Sequence, residues 1–226
     1  MTAMKILHVF TNEAGKFGNP LGIVIDEKYS LDKDERQQIT LNSGFSEIVF
    51  INNIQGRNIS IYSPQREIPF AGHAVVGTAY FFNQKFKIPV TQLVAIKGAI
   101  DTWQEDDLTW VRGELAIAPS WKYEQLADVS LVEGLSIEQS SSKEHTVVWA
   151  WIDQSKGFIR ARTFASDWGI PEDEANGSGS MKLASDLVKG VVVYHGKGSV
   201  IYARPSKSGF AEVGGSVKLD RKPYKF

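Results

Sequence analysis

The chain of 226 residues is long enough for one large domain or for two of about 100 residues each. Lys plus Arg (25) nearly balances Asp plus Glu (26), so no global field favours nucleic acid or an anionic membrane. The absence of cysteine excludes disulfides, zinc–thiolate sites and thiol nucleophiles. No apolar run is long enough to span a membrane. We expect a cytoplasmic protein with no nucleic-acid or membrane partner.

Short strands predominate in the sequence pattern. Residues 4–10 and 21–25 are apolar runs joined by turn residues, which predicts a hairpin. Further strands are predicted over residues 45–51, 58–63, 90–100, 101–103, 108–112, 114–117, 145–152, 158–164, 190–194, 199–204 and 212–219.

Three helices are predicted between these strands. Ser30 is expected to cap a helix over residues 31–41 that stops by Gly44. The other two are short, and each follows a turn of small residues: Gly72 opens one, and residues 176–180 open the other. Residues 74–79 lack charge all round, as a helix buried on every side requires. Two similar half-domains facing each other are therefore expected.

The starts of the two short helices are candidate anion sites. The first backbone N–H groups of a helix have no partner within it, and the helix dipole favours negative charge there. We expect the N–H groups of Gly72, Gly177 and Ser178 to bind an anionic group such as a carboxylate.

Glu47 is the residue that does not fit its surroundings, because its neighbours in residues 45–51 are mostly apolar. It is either a strand-end carboxylate that points at water, or a carboxyl held in an apolar wall. In the second case desolvation would raise its pKa, as a proton shuttle needs. The residues alone leave both interpretations open.

Six short motifs occur in one order along essentially the whole chain. They are Gly18-Asn19-Pro20, Ser46-Glu47, the Phe-Ala-Gly-His-Ala of residues 70–74, the Glu-Asp-Glu-Ala-Asn-Gly-Ser of residues 172–178, Arg204-Pro205-Ser206 and Val213-Gly214-Gly215. Together they resemble the PhzF family of phenazine-biosynthesis-like isomerases. The resemblance implies an α+β fold of the diaminopimelate-epimerase type, with two pseudo-symmetric halves. In each half a curled, mostly antiparallel sheet wraps around a central helix, and the active site lies in the cleft between the halves.

The resemblance also implies a division of the chain. The first half is expected over residues 1–105 and the second over residues 106–209, while residues 210–226 are expected to return to the first half. Exposed edge strands in such a fold are often covered by a second copy, so we expect a homodimer.

The family's best-known activity is isomerisation of a dihydro-hydroxyanthranilate without a metal or an organic cofactor. By this resemblance Glu47 is the catalytic residue and moves a carbon-bound proton on a small carboxylated metabolite. His73 and Asp173 would hold the substrate, and Ser46 and Asn19 would line the same site. Two alternatives remain open: a small-molecule binding protein that keeps the cleft without turnover, and a hydrolase or lyase on the same scaffold.

The sequence departs from the family pattern at the second turn, which usually reads Glu-Asp-Pro-Ala-Thr-Gly-Ser-Ala. Here Glu174, Asn176 and Gly179 replace the Pro, the Thr and the final Ala. Glu174 is expected to add negative charge beside Asp173 and so to favour a cationic or uncharged substrate edge. By the same resemblance the chain is shorter than is typical of the family, and we expect the loss to lie between Trp121 and Lys156 in the second half, which favours the binding-protein alternative. The lack of cysteine excludes the two-thiol mechanism of racemases that share this fold.

Overall fold

The computed structural model describes residues 4–220. Within this range no helix is long and apolar enough to cross a membrane. The strands are β1 Lys5–Thr11, β2 Asn19–Ile25, β3 Ile48–Asn53, β4 Asn58–Tyr62, β5 Glu67–Ile68, β6 Gln92–Ala95, β7 Gly98–Glu105, β8 Leu108–Glu114, β9 Lys122–Gln125, β10 Thr146–Asp153, β11 Phe158–Ala165, β12 Ile170–Asp173, β13 Val191–His195, β14 Ser199–Pro205 and β15 Phe210–Leu219. The α-helices are α1 Lys33–Ser43, α2 Gly72–Phe81, α3 Val129–Glu133, α4 Ile137–Ser140 and α5 Gly177–Asp186, with a π-helical turn at Phe82–Phe86 and a 3-10 turn at Ser166–Trp168.

In the first half, paired strands surround α2. The order is β1, β2, β3, β4, β6, β7, β8 and β15, and β15 also pairs with β1, so the pairing closes into a ring. The antiparallel pairing of β1 with β2 confirms the predicted hairpin. Helix α2 packs against β1, β2, β8 and β15. Its central position explains why its sequence carries no charged face.

The second half continues the sheet from β15 through β14, β13, β11 and β10 to β9, and α5 packs against β14 and β15. Strand β15 is shared, because it pairs with β8, β14 and β1. The predicted α+β fold, with a sheet around one helix in each half, is confirmed. The division at residue 105 falls at the turn between β7 and β8 and stays a prediction. Residues 1–3 and 221–226 of the predicted halves lie outside the described residues.

Helix α2 is buried at nearly every position, as predicted: only Tyr80 among its residues is not buried. A glycine in a helix interior usually destabilises it, but Gly77 is needed for close packing. A Cβ at Gly77 would lie 2.6 Å from Leu21 Cδ2 and 2.7 Å from Val9 Cγ2. The helix therefore sits directly on the β1–β2 hairpin. One continuous apolar cluster includes side chains of both α2 and α5.

The start of α1 corrects one sequence prediction. The cap is Asp32, not Ser30: Asp32 Oδ1 accepts a hydrogen bond from Glu35 N at 2.9 Å, and Glu35 Oε2 accepts one from Asp32 N at 2.8 Å. Such a reciprocal pair satisfies two backbone donors at once, which a single serine does not. Ser30 instead donates to Asp26 Oδ1 at 2.7 Å. The helix ends at Gly44 in the left-handed conformation, φ 73°, as expected.

The strand predicted over residues 90–100 is also corrected. It is interrupted by a turn that separates β6 from β7, and these two strands pair antiparallel. Gly98 at this turn has φ +121°, a conformation that side-chain-bearing residues rarely adopt.

Candidate active site

Glu47 and His73 lie against each other in the first half. Glu47 directly precedes β3, and His73 is the second residue of α2. Glu47 Oε2 is 3.1 Å from His73 Nε2, and the two side chains are 17% and 7% exposed. Of the two interpretations of Glu47, the geometry fits the buried carboxyl rather than the one that points at water.

The charge state of Glu47 differs from the prediction. Burial acts most strongly and favours the neutral acid, but the positive charge of His73 and hydrogen-bonding contacts from His73 and Ser46 together hold the pKa of Glu47 below its usual range. Burial likewise disfavours the charged imidazole, yet the Glu47 carboxylate raises the pKa of His73. The expected rise in the pKa of Glu47 is therefore wrong in sign. The sequence showed the apolar neighbours on the strand but not the cation 26 positions away along the chain.

Asp173 comes from the other half and ends β12. Its Oδ1 accepts hydrogen bonds from Asn19 Nδ2 at 2.8 Å and from Ala175 N at 3.2 Å. Burial raises the pKa of Asp173; Glu47 adds to this, while the positive charge of His73 opposes it. Since both residues act electrostatically on Asp173, the three ionisable side chains share one environment. Asn19, which also donates to Ala175 O at 3.1 Å, links the β1–β2 hairpin to β12.

The N-termini of α2 and α5 meet at two glycines. A Cβ on Gly72 would lie 3.3 Å from Gly177 Cα, and one on Gly177 would lie 3.4 Å from Gly72 Cα. No side chain caps the start of helix α2, so a capping side chain does not occupy its first backbone N–H groups. Two positive helix ends at van der Waals distance repel each other unless negative charge lies between them. Their meeting point is therefore suited to a carboxylate.

Ser178 lies beside this junction, but its hydroxyl is already engaged. Its Oγ accepts a hydrogen bond from Trp121 Nε1 at 2.9 Å and donates one to Asn176 Oδ1 at 3.2 Å. Asn176 caps α5 by accepting from Gly179 N at 2.8 Å. What Ser178 can offer a ligand is therefore its backbone N–H rather than its hydroxyl proton.

Three buried polar atoms at this site make no well-aligned hydrogen bond within the described part of the chain. They are Ser46 Oγ, Glu47 Oε2 and His73 Nε2. The Glu47–His73 contact is thus an ion pair with poor hydrogen-bond angles. Buried polar groups are almost always well paired, so the weak alignment of these three atoms indicates a position where a polar ligand would complete their hydrogen bonding. Among residues 4–220, no group of three or more His, Asp or Glu side chains is arranged to hold a metal ion.

Residues 7–107 match the family model described as phenazine biosynthesis-like protein. The chain also superposes on a phenazine biosynthesis protein of the PhzF family from Enterococcus faecalis with a TM-score of 0.77 and 19% identity, covering 100% of both chains. The resemblance to the PhzF family is confirmed. The matched segment contains Asn19, Ser46, Glu47, Gly72 and His73, whereas Asp173, Gly177 and Ser178 lie outside it.

Two curated relatives share parts of this PhzF-like chain. It is 44% identical over 75 residues to an uncharacterized isomerase of Mesorhizobium japonicum, which is 31% of this chain and 24% of the relative. It is 31% identical over 87 residues to an uncharacterized isomerase of Pasteurella multocida, or 37% of this chain and 30% of the relative. These matches therefore span less than a third of each relative's length.

Sequence reasoning missed two residues that shape this candidate site. Trp121 reaches Ser178 across 57 positions of sequence, and no local pattern signals that contact. Phe10, fully buried, adopts a left-handed backbone with φ 70° at an irregularity in β1. A Cβ on Gly177 would lie 3.1 Å from its ring, so Phe10 supports the start of α5 from the first half. Sequence gives no warning of this conformation, which is rare for a bulky side chain.

Proposed function

We propose that this chain is a PhzF-like isomerase that moves a carbon-bound proton on a small metabolite bearing a carboxylate, without a metal or an organic cofactor. The observation that carries the proposal is the Glu47–His73 contact of 3.1 Å, buried beside the meeting point of two helix N-termini. An acid–base group next to an anion-binding position is what proton transfer beside a carboxylate requires. The names of the two relatives described above, each an uncharacterized isomerase, support the same class of reaction.

Glu47 is the proposed proton carrier. Because the positive charge of His73 keeps its pKa low, Glu47 is ionised and ready to act as a base in the free protein. A substrate group that hydrogen-bonds to His73 Nε2 would compete with Glu47 for that nitrogen. When the contact between Glu47 and His73 weakens, burial dominates and raises the pKa of Glu47. The carboxylate then binds the abstracted proton more tightly. The same carboxyl can then return the proton at a second carbon.

The remaining site residues hold the substrate in this proposal. The N–H groups of Gly72, Gly177 and Ser178 bind its carboxylate, each contact contributing about 1 kcal/mol when water is excluded. Asp173, kept in place by Asn19, pairs with an amino or hydroxyl group of the substrate. The hydroxyl of Ser46, buried beside Glu47 without a well-aligned partner among the described residues, donates to the substrate when it is bound.

Assembly as a homodimer is part of the proposal. Strand β9 forms the end of the sheet in the second half, where it pairs only with β10 among the described strands. An unpaired strand edge is a favourable surface for a second copy. Light scattering coupled to size exclusion would give the mass of a dimer; a monomer mass across the working concentration range would contradict this part.

Product analysis tests the class of reaction. A dihydro-hydroxyanthranilate and a panel of related amino acids are incubated with the protein, and each product is examined by mass spectrometry and NMR. An isomerase gives a product of unchanged mass with a moved double bond or an inverted centre. A gain of one water indicates a hydrolase, and loss of a small fragment indicates a lyase. Binding of a panel member without conversion would favour the binding-protein alternative.

A further inference from the structure

A chain of hydrogen bonds joins two turns behind the candidate active site. Gly18 N donates to Ser199 Oγ at 2.9 Å, and Ser199 Oγ donates to Glu174 Oε1 at 2.7 Å. The Glu174 carboxylate also accepts from Lys197 N, at 3.1 Å on Oε1 and 2.9 Å on Oε2. Ser199 is fully buried. Glu174 is therefore directed at the β13–β14 turn, and its carboxylate does not supply the free negative charge beside Asp173 that the sequence suggested.

Together with the hydrogen bond from Asn19 to Asp173, these hydrogen bonds form a closed loop. Gly18 directly precedes Asn19, and Glu174 directly follows Asp173. The two pairs of neighbours are connected twice: once by Asn19 Nδ2 to Asp173 Oδ1 at 2.8 Å, and once through Ser199. A double connection fixes orientation as well as distance, because a turn held at one point can still rotate about it.

The packing around the loop restricts it further. Gly18 has φ +85°, and a Cβ there would lie 2.8 Å from Val9 O, so the turn tolerates only glycine without rearrangement. The ring of Phe17 lies over the β13–β14 turn, since a Cβ on Gly198 would lie 2.6 Å from it. The turn that carries Asn19 is thus seated on the second half by both polar and apolar contacts.

We propose that Ser199 and Glu174 are positioning residues that hold the Gly18–Asn19 turn so that the Asn19 amide donates to Asp173. Neither residue touches the proposed substrate; both act through Asn19. The inference rests on the proposed function only for what Asp173 does at a substrate, because the hydrogen-bond loop itself is a property of the free protein. It also gives a reason for a glutamate where the family pattern has proline.

The charges around Asp173 indicate the measurable consequence. Glu47 and His73 face it from the first half, and Asn19 Nδ2 and Ala175 N donate to its carboxylate. A hydrogen-bond donor to the ionised carboxylate lowers its pKa. Displacement of the Asn19 amide removes such a donor, so burial and the charge of Glu47 raise the pKa of Asp173 with less opposition. On the far side of the loop, His195 Nδ1 contacts Glu174 O at 2.9 Å.

The test compares Ser199→Ala with Ser206→Ala in the full chain. Ser206 is a matched control, because its hydroxyl also donates to a glutamate, Glu212 Oε1, at 3.0 Å, but away from Asn19. The readouts are the carbon-13 titration of the Asp173 carboxyl, assigned with Asp173→Asn, and the side-chain amide cross-peak of Asn19. We expect Ser199→Ala to raise the pKa of Asp173 and to shift the Asn19 peak, and Ser206→Ala to change neither.

Two further variants keep the test decisive. Ser199→Thr retains the hydroxyl and should restore both wild-type signals, which a purely structural loss of packing would not predict. If Ser199→Ala does not fold, Glu174→Gln is measured instead, with the same expected changes. A folded Ser199→Ala protein with wild-type Asp173 titration and Asn19 peak would overturn the inference. Because neither readout is catalysis, this result is independent of whether the proposed isomerase activity is found.

Discussion

Gly72 and Gly177, 105 positions apart in the chain, bring the starts of α2 and α5 together: a Cβ on Gly72 would lie 3.3 Å from the Cα of Gly177. Any larger residue at either position would push the two helix ends apart. The glycines are thus explained by a close approach between the halves, and the result is a pair of adjacent backbone donor groups. This relationship defines where a substrate carboxylate would lie.

Gly177→Ala is expected to destabilise the protein. The new Cβ would lie 3.1 Å from Phe10 Cε2 and 3.4 Å from Gly72 Cα, and Phe10 is fully buried, so its ring has little room to move. Overpacking of this kind lowers the free energy of unfolding by about 1–3 kcal/mol. Urea denaturation measures it. Gly190→Ala is the control, because its Cβ would meet only Arg204 Cβ at 3.8 Å; an equal loss in both variants would contradict the packing argument.

His73→Asn is expected to raise the pKa of Glu47. In the wild type the positive charge of His73 opposes burial and keeps that pKa low. Without the imidazole, burial acts against the carboxylate with less opposition, so the acid form persists to higher pH. Carbon-13 NMR of labelled glutamate follows the titration directly. His8→Asn, in β1, serves as the control; an unchanged Glu47 curve in His73→Asn would mean that the ion pair does not form in solution.

His195 is expected to make the protein less stable in weak acid. It is 1% exposed; Nδ1 donates to Glu174 O, and Nε2 accepts from Thr163 Oγ1, both at 2.9 Å, an arrangement suited to the neutral ring. Burial lowers its pKa to about 4. A depressed histidine pKa gives stability that is present above the unfolded value and is lost as pH falls.

The loss should develop between about pH 6.5, the unfolded value, and the folded value of about 4. Over that window the contribution amounts to about 3 kcal/mol. Urea unfolding at several pH values measures it in the wild type and in His195→Gln, which has no imidazole to titrate. The difference in stability between the two proteins should shrink as pH falls. A difference that is independent of pH would contradict the assignment.

Trp121→Phe is expected to weaken the start of α5. Phenylalanine keeps most of the ring but loses the indole N–H that donates to Ser178 Oγ at 2.9 Å. A hydrogen bond of this kind contributes about 1 kcal/mol to the free energy of unfolding. Trp103→Phe is the control, since its N–H donates to Glu105 at a longer 3.2 Å, and the Glu105 side chain is exposed whereas Ser178 is buried. Thermal or urea unfolding measures the loss of stability in both variants. A larger loss in Trp103→Phe than in Trp121→Phe would contradict the expectation.

Local pattern was sufficient for most of the fold. The charge-free run after Gly72 predicted a buried helix, and the pattern of residues 158–164 predicted a strand, because both are properties of short segments. The start of α1 was misplaced by a few residues, since Ser30 and Asp32 are both good capping residues and only the geometry of Glu35 decides between them. Boundaries of this kind depend on single hydrogen bonds.

The candidate site was predictable only in part. The ordered motifs identified Glu47, His73 and Asp173, and the structure brings the first two into contact with the third in electrostatic range. The pKa direction of Glu47 was wrong because it depends on a partner in a different element. The hydrogen bonds from Trp121 to Ser178 and from Ser199 to Glu174 are also long-range side-chain contacts. Such pairings follow from the tertiary fold and leave no trace in local sequence.

Deuterium uptake at carbon tests the central claim, that Glu47 transfers a carbon-bound proton, most directly. A substrate identified from the panel is incubated in heavy water with wild type, Glu47→Gln and the exposed surface control Glu13→Gln. NMR then measures deuterium at the reacting carbons. The account predicts uptake with wild type and Glu13→Gln, and a loss of at least about a hundredfold in rate with folded Glu47→Gln. Uptake at the wild-type rate in Glu47→Gln would contradict it.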